Sequence, residues 1–380
     1  MNTQTCWLYL PTLLSLLACH NSPFDALEAL PAEESPGLAR SVTLDAVVAY
    51  PRVSTVSKSG GRVDWSATRQ ELAFDRLGDD GFYDVWVRSL STGAERCMTC
   101  GLPQVPKHNG NPAWHPSGKY LVFQAEKAVH RGSSFSSKPG LGARSDLWLQ
   151  VVDTGALFQL TRMPDSDSSG VLHPHFSSDG GKLTWTEMVA PSRLFKRGQE
   201  AGFWKLKLAD FSFRSELPTL DGARDFTPAG EGFYENHGLD PEGRFIVFSS
   251  NGATRGKASL LKRSDIWTYD LKSGVARRLT FADYNEHAQL SPDGRLIVWM
   301  SNRDSASGTD YWIMRADGSG KRRLTHFNVS GSPHDTGAPL ICADGSWDPD
   351  GSRLAIYVQD SLLDQTGALL MLDLLRSAEP

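Results

Sequence analysis

Short apolar runs, each closed by turn residues, recur along this chain roughly every fifty residues. The clearest copy starts at Leu290. Ser291-Pro292-Asp293-Gly294 leads into Leu296-Ile297-Val298-Trp299, then Tyr311-Trp312-Ile313-Met314, then Asp317-Gly318, then Arg323-Leu324-Thr325. An apolar run this short, bounded by turn signals, reads as a strand covered on both faces. Pro presets φ, Asp bonds its own backbone and Gly supplies a positive φ, so Pro292-Asp293-Gly294 predicts a tight turn. Four strands joined this way form one antiparallel sheet.

The other copies follow the same order. Val63-Asp64-Trp65, Leu72-Ala73-Phe74 and Tyr83-Asp84-Val85-Trp86 open the series. Pro112-Ala113-Trp114, Tyr120-Leu121-Val122-Phe123 and Asp146-Leu147-Trp148 form the second. His175-Phe176, Leu183-Thr184-Trp185 and Phe203-Trp204 form the third, whose outer strand reads as irregular. Phe245-Ile246-Val247-Phe248 and Asp265-Ile266-Trp267 carry the fourth, the quoted copy is the fifth, and Leu354-Ala355-Ile356-Tyr357 with Leu369-Leu370-Met371-Leu372 carry the sixth. Six such units repeated radially predict an all-β fold, a six-bladed β-propeller of four-stranded antiparallel blades. The sixth unit ends without an outer Leu-Thr strand. Val42 to Val48, inside Ser41–Tyr50, is a spare strand, expected to dock there and close the ring from the N-terminus, so that no sheet edge is left open.

Ser-Pro-Asp-Gly before an apolar strand, then Asp-Ile-Trp and Arg-Leu-Thr, resembles the TolB-type six-bladed β-propeller repeat over residues 41–375. TolB carries a further N-terminal domain, for which this chain leaves no room before Ser41. The resemblance implies a platform that docks proteins or small ligands. Oligogalacturonate lyases are similar in repeat type and use a His-and-Gln metal site with a base; here the likeness is one of fold.

Composition is that of an ordinary globular chain: 380 residues, 40% hydrophobic, 22% charged, net charge −5. The weak acidity and the lack of a Lys/Arg cluster argue against nucleic acid or an anionic membrane surface as partner. Trp7 to Ala18 is apolar but too short to span a bilayer, and reads as the core of a signal peptide over residues 1–19. Leu16-Leu17-Ala18-Cys19 resembles a bacterial lipobox, which would lipidate Cys19; simple cleavage near Ala18 is the alternative. Residues 20–40, acidic and Pro-rich, read as a linker. The expectation is an exported monomer, periplasmic or held to the membrane only by a lipid anchor. In that setting Cys97-Met98-Thr99-Cys100 reads as a local disulfide, Cys97 to Cys100, and Cys342 as a lone thiol.

Alignment of the units on the turn Pro marks a candidate site. Five positions earlier stand Arg62, Asn111, His173, Asn236, His287 and Asp344, one polar residue per blade at the mouth of the axial channel. The longest insertions, second-to-third strand loops including Gln124 to Ser145 and Glu187 to Gly202, share that face, where function on a rigid scaffold tends to sit. His173, His175, His237, His287 and His334 are candidate metal ligands, with Asn111, Glu187, Glu235, Asn236, Glu286, Gln289 and Asp344 as further ligand-binding candidates. Imidazole with carboxylate or amide oxygen suits Zn, Mn or Fe. The same residues would also serve as the polar lining of a wet channel.

Other motifs fall away. Gly318-Ser319-Gly320-Lys321 lacks the spacing of a phosphate loop. Asp165-Ser166-Asp167 lacks the closing Glu of a calcium loop. No Gly-x-Ser-x-Gly elbow occurs. Two functions remain: a non-catalytic propeller binding a protein or small polar ligand of the cell envelope, or a metal-dependent enzyme acting on a carbohydrate through the His/Glu cluster.

Overall fold

The computed structural model describes residues 28–29, 42–191, 202–254, 264–305, 308–360 and 367–375. Its strands form six sheets, each antiparallel through four strands and each built from one sequence repeat, apart from the strand that closes the ring. The first strand of each blade lines the axis: Val63–Trp65, Asn109–Trp114, Val171–Phe176, Tyr234–Leu239, Asn285–Leu290 and Ile341–Trp347. Second strands such as Tyr120–Glu126 and Leu296–Ser301 are almost wholly buried, because neighbouring blades cover both faces.

The repeated Asp and Thr have a shared physical task. Asp84, Asp146, Asp265 and Asp310 head third strands and accept the hydroxyls of Thr99, Thr161, Thr280 and Thr325 at 2.6–3.1 Å. Each Thr oxygen in turn accepts the N–H of the residue after its Asp, at 2.9 Å in all four blades. The pair replaces backbone partners where the short outer strand leaves the sheet, which is why Asp-x-Trp and Leu-Thr travel together. Blade three does without the device. Its third and outer strands, Phe203–Arg214 and Leu217–Phe226, form a long hairpin in place of the expected irregular segment. Ser215 and Glu216 at its tip both take positive φ, as a two-residue turn demands.

The ring closes from the N-terminus, in a register later than the spare strand suggested. Val47–Gly60 pairs antiparallel with Gly367–Leu375 as the outer strand of blade six. Val42 and Leu44 turn aside and bury in the core between blades five and six. The Arg322 guanidinium holds them there by bonds to the carbonyls of Leu44 (3.2 Å) and Val47 (2.7 Å). Pro51 lies in the irregular stretch between Val47 and Arg52, where the outer strand departs from its pairing and a missing N–H is tolerated. Glu28–Ala29, inside the expected linker, adds a short parallel strand outside Ser54 and Thr55. The expected leader, with Cys19, lies outside the described residues.

Two carboxylates knit the inner strands. Asp64 accepts the Trp114 N–H (2.7 Å) and the Ser346 hydroxyl (3.0 Å), joining blades one, two and six. Asp75 accepts the N–H groups of Arg62 and Asn111. Cys97 and Cys100 are disulfide-bonded and Cys342 is a buried free thiol.

Candidate functional site

Five of the six inner strands carry a bulge near mid-strand, where two residues face one on the second strand. A bulge re-aims its side chains. Asn111, His173 and His287 sit in these bulges with φ of 49°, 49° and 51°, a left-handed conformation that costs a non-glycine residue about 1–2 kcal/mol. In blade four Gly238 takes the positive φ instead (87°), with no Cβ to meet that of His175.

The bulges and strand heads bring residues of all six blades, two from blade one and one from each of the others, into a closed circuit around the axis, which Arg62 and Asp75 complete within blade one. Arg62 of blade one faces Asp344 of blade six (4.0 Å). Asp344 faces His287 of blade five (3.4 Å), and His287 Nδ1 lies 2.8 Å from Glu235 of blade four. Glu235 faces His173 Nε2 of blade three (3.4 Å), and His173 Nδ1 meets the amide of Asn111 of blade two (3.2 Å). The Asn111 N–H returns to Asp75 of blade one (3.0 Å). Glu286 stands beside Glu235 and His287, accepting a hydrogen bond from the Tyr284 hydroxyl.

Charge and satisfaction are both out of balance here. Four buried carboxylates, Asp75, Glu235, Glu286 and Asp344, share the space with one guanidinium. Burial opposes charge on His287, but Glu235 and Asp344 outweigh it and hold the imidazole proton well above its usual range. Burial and then Glu235 push Glu286 up to about 8. His173 is held low by burial, against the pull of Glu235 and Asp344. Buried atoms with no hydrogen bond include both oxygens of Glu235, one each of Glu286 and Asp344, His287 Nδ1, and Nε and Nη1 of Arg62. Glu235 and His287 approach to 2.8 Å without the alignment a hydrogen bond needs.

Such a set fits a divalent cation. Donors about 2.1 Å from one ion stand about 3.0–3.4 Å apart in octahedral or tetrahedral array. His287 stands 2.8 Å from Glu235 and 3.4 Å from Asp344, close to that range. Two overlapping groups, His173–Glu235–Asp344 and Glu235–Glu286–His287, each place their donor atoms within 4.8 Å of one another.

The other candidates lie elsewhere. His237 turns its Nε2 to Ser249 (2.6 Å), and burial holds it near pKa 3. His175 lies against Gly238 beside His173. His334 is remote: it bonds the Pro51 carbonyl (2.8 Å) and accepts the His326 N–H. Glu187 pairs with Lys207 (3.0 Å) on blade three. Asn236 bonds the His173 carbonyl (2.8 Å) and so steadies that bulge. Gln289 follows the bulge of blade five, its carbonyl accepting the Trp347 indole. The sequence did not single out Asp75, because it sits on a second strand at no repeat position. Arg144 bonds Asp165 and Asp167 at 2.7 and 2.8 Å, which accounts for that acidic loop without calcium.

No protein-family model matches the chain. An uncharacterized protein of Agrobacterium fabrum is 26% identical over 223 residues, 58% of this chain and 60% of that protein. Dipeptidyl-peptidase 5 of Porphyromonas gingivalis is 34% identical over 124 residues, 32% of this chain and 17% of that enzyme. The match thus spans less than two thirds of either relative. Among solved structures, TolB of Acinetobacter baumannii is similar at TM-score 0.48 and 18% identity, over 83% of this chain and 63% of that one. The fold is a six-bladed β-propeller of four-stranded antiparallel blades. An oligogalacturonate lyase in complex with manganese is similar at TM-score 0.50 and 13% identity, over 85% and 93% of the two chains. A gluconolactonase of Xanthomonas campestris is similar at TM-score 0.54 and 16% identity, over 91% and 97%. At these identities the likeness is one of fold.

Proposed function

We propose that this propeller is a metal-dependent enzyme acting on a small polar substrate of the carbohydrate class, with its centre on the axis. The observation that carries the reading is the convergence of unsatisfied buried donors from Glu235, Glu286, His287 and Asp344. A propeller serving only as a platform gains nothing from leaving those groups unpaired, since each costs about 1–3 kcal/mol. His287, Glu235 and Asp344 would hold the ion, with Glu286 and His173 beside them. One nitrogen among several carboxylate oxygens favours Mn or Fe, with Zn as the softer alternative. The ion would supply Lewis-acid polarisation of a substrate oxygen. Arg62 presents unpaired N–H groups to the same space, and Tyr284 and Glu286 form a proton-bearing pair at its edge. The lyase and the lactonase with this fold lend the carbohydrate class its support. The apolar stretch Trp7–Ala18 with Cys19 supports export from a bacterial cell, periplasmic or lipid-anchored; loss of membrane association in Cys19→Ala would separate those two.

The test is elemental analysis of protein purified without chelator, followed by thermal shift on adding Mn or Zn. Stoichiometric metal, or a rise in Tm that His287→Ala abolishes, is expected. Metal-free protein with no shift would return the chain to the alternative of a non-catalytic envelope binding protein.

A further inference from the structure

The loop of residues 127–144 in blade two folds inward over the axial circuit. It is pinned at its base. Glu126, fully buried, accepts from Ser134 (2.8 Å) and lies 2.8 Å from His130 Nδ1 and 3.2 Å from Lys107 Nζ. Gln124 donates to the Ser137 carbonyl (2.9 Å). Pro139 and Gly140 at the inner end press against Gly110 and Arg62. Gly140 takes a positive φ of 85°, which favours glycine, and a Cβ there would stand 2.1 Å from the Arg62 guanidinium, which would have to shift.

Gly140 touches the circuit at one polar point. Its N–H donates to Asn111 Oδ1 at 3.1 Å. That contact orients the Asn111 amide, because a flipped amide would set its NH₂ against the Gly140 N–H, donor to donor. With the amide so fixed, Nδ2 faces His173 Nδ1 at 3.2 Å and donates to it. A neutral imidazole that accepts at Nδ1 carries its proton on Nε2. Nε2 of His173 faces Glu235 Oε1 at 3.4 Å.

We infer that Asn111 is a positioning residue which, oriented by Gly140 of the blade-two loop, fixes His173 as the Nε2–H tautomer and so directs a donor at Glu235. On this assignment His173 acts on the central carboxylate from outside the ion's own ligand set, as partners of ligands commonly do. The loop and the axial carboxylate are then linked through one amide and one ring.

The inference deepens the proposed site, but it concerns a proton on metal-free protein and stands or falls separately from the metal reading. The experiment is two-bond ¹H–¹⁵N correlation on protein labelled at histidine nitrogen, near pH 7, with His173 assigned from its absence in His173→Gln. The expected pattern is that of the Nε2–H tautomer. A Nδ1–H pattern, or an imidazolium, overturns the assignment. Asn111→Asp can only accept at that point while still receiving the Gly140 N–H, so His173 should carry a proton on Nδ1, as the Nδ1–H tautomer or as the imidazolium. Asn111→Gly suits the left-handed backbone and guards against a folding failure; with the amide gone, His173 should show a mixture of tautomers. A pure Nε2–H pattern kept in either folded variant overturns the role of Asn111. Elemental analysis that finds no metal, beside an Nε2–H pattern in the wild type, removes the metal reading alone.

Discussion

Blades four and five spell nearly the same words, Tyr234-Glu235-Asn236-His237-Gly238 and Tyr284-Asn285-Glu286-His287-Ala288, and use them differently. Both bulge at the fourth and fifth residues. In blade five Ala288 follows the histidine, the left-handed φ falls on His287, and the ring meets Glu235 and Asp344. In blade four Gly238 takes the positive φ, and His237 bonds Ser249 inside its own blade. The acidic residue that reaches the circuit is then Glu235, one place earlier than Glu286. Which of two similar histidines serves the axis is thus decided by which bulge residue takes the left-handed backbone.

The comparison can be broken most forcefully at the two histidines. His287→Ala should weaken Mn binding roughly a thousandfold, about 4 kcal/mol, measured by calorimetry. His237→Ala should leave affinity within about threefold and lower Tm instead. Equal losses in both would mean that the blades do the same work.

A histidine outside both blades shows what burial alone does. His108 accepts the Tyr83 N–H through Nδ1 (3.1 Å), and burial lowers its pKa to about 4. The folded state therefore binds fewer protons than the unfolded one below the ordinary histidine pKa of about 6.5. The stability from keeping this ring neutral is whole above pH 6.5 and is lost as pH falls toward 4, up to about 3 kcal/mol. His108→Gln removes that dependence. Denaturation at pH 7 and pH 4 should show the variant gaining on the wild type by that order; a constant difference would contradict the neutral ring.

Smaller effects test the backbone argument itself. Gly238→Ala forces a side chain to positive φ and sets a Cβ 3.3 Å from that of His175. A loss of about 1–2 kcal/mol by chemical denaturation is expected. Ala288→Gly offers blade five the option blade four uses. His287 should then hold the axis less firmly, and Mn affinity should fall a few-fold with stability almost unchanged. Unaltered affinity would show that the left-handed histidine is fixed by something other than its neighbour.

The fold was legible because turn chemistry is local. Pro-Asp-Gly and the Asp/Thr pair each do their work within one blade, so the motif carries its own geometry. The site was legible in part. Counting back from the turn Pro reached Arg62, Asn111, His173, His287 and Asp344, all members of the circuit. In blade four it reached Asn236, because that strand runs one residue shorter between bulge and turn, and Glu235 was found only as a neighbour. Asp75 and the Gly140–Asn111 contact were beyond reading: the first depends on how blades one and two meet, the second on how a long loop folds back onto the inner strand of its own blade. The closing strand was expected too early, because apolar Val42 and Leu44 look like strand and serve as core.

That closure has a consequence for how the molecule is made. Arg52 pairs with Asp373, 321 positions away. During synthesis the strand bearing Arg52 leaves the ribosome 321 residues ahead of its partner and waits while the intervening blades are made. Blades one to five can assemble locally as they emerge, but the last sheet can be joined only after Gly367–Leu375 has been made. Such distant pairing is slow to form, and it leaves an unpaired edge exposed to other chains in the meantime. An exported copy would meet this step outside the cytoplasm, so its yield should depend on how long that edge stays open.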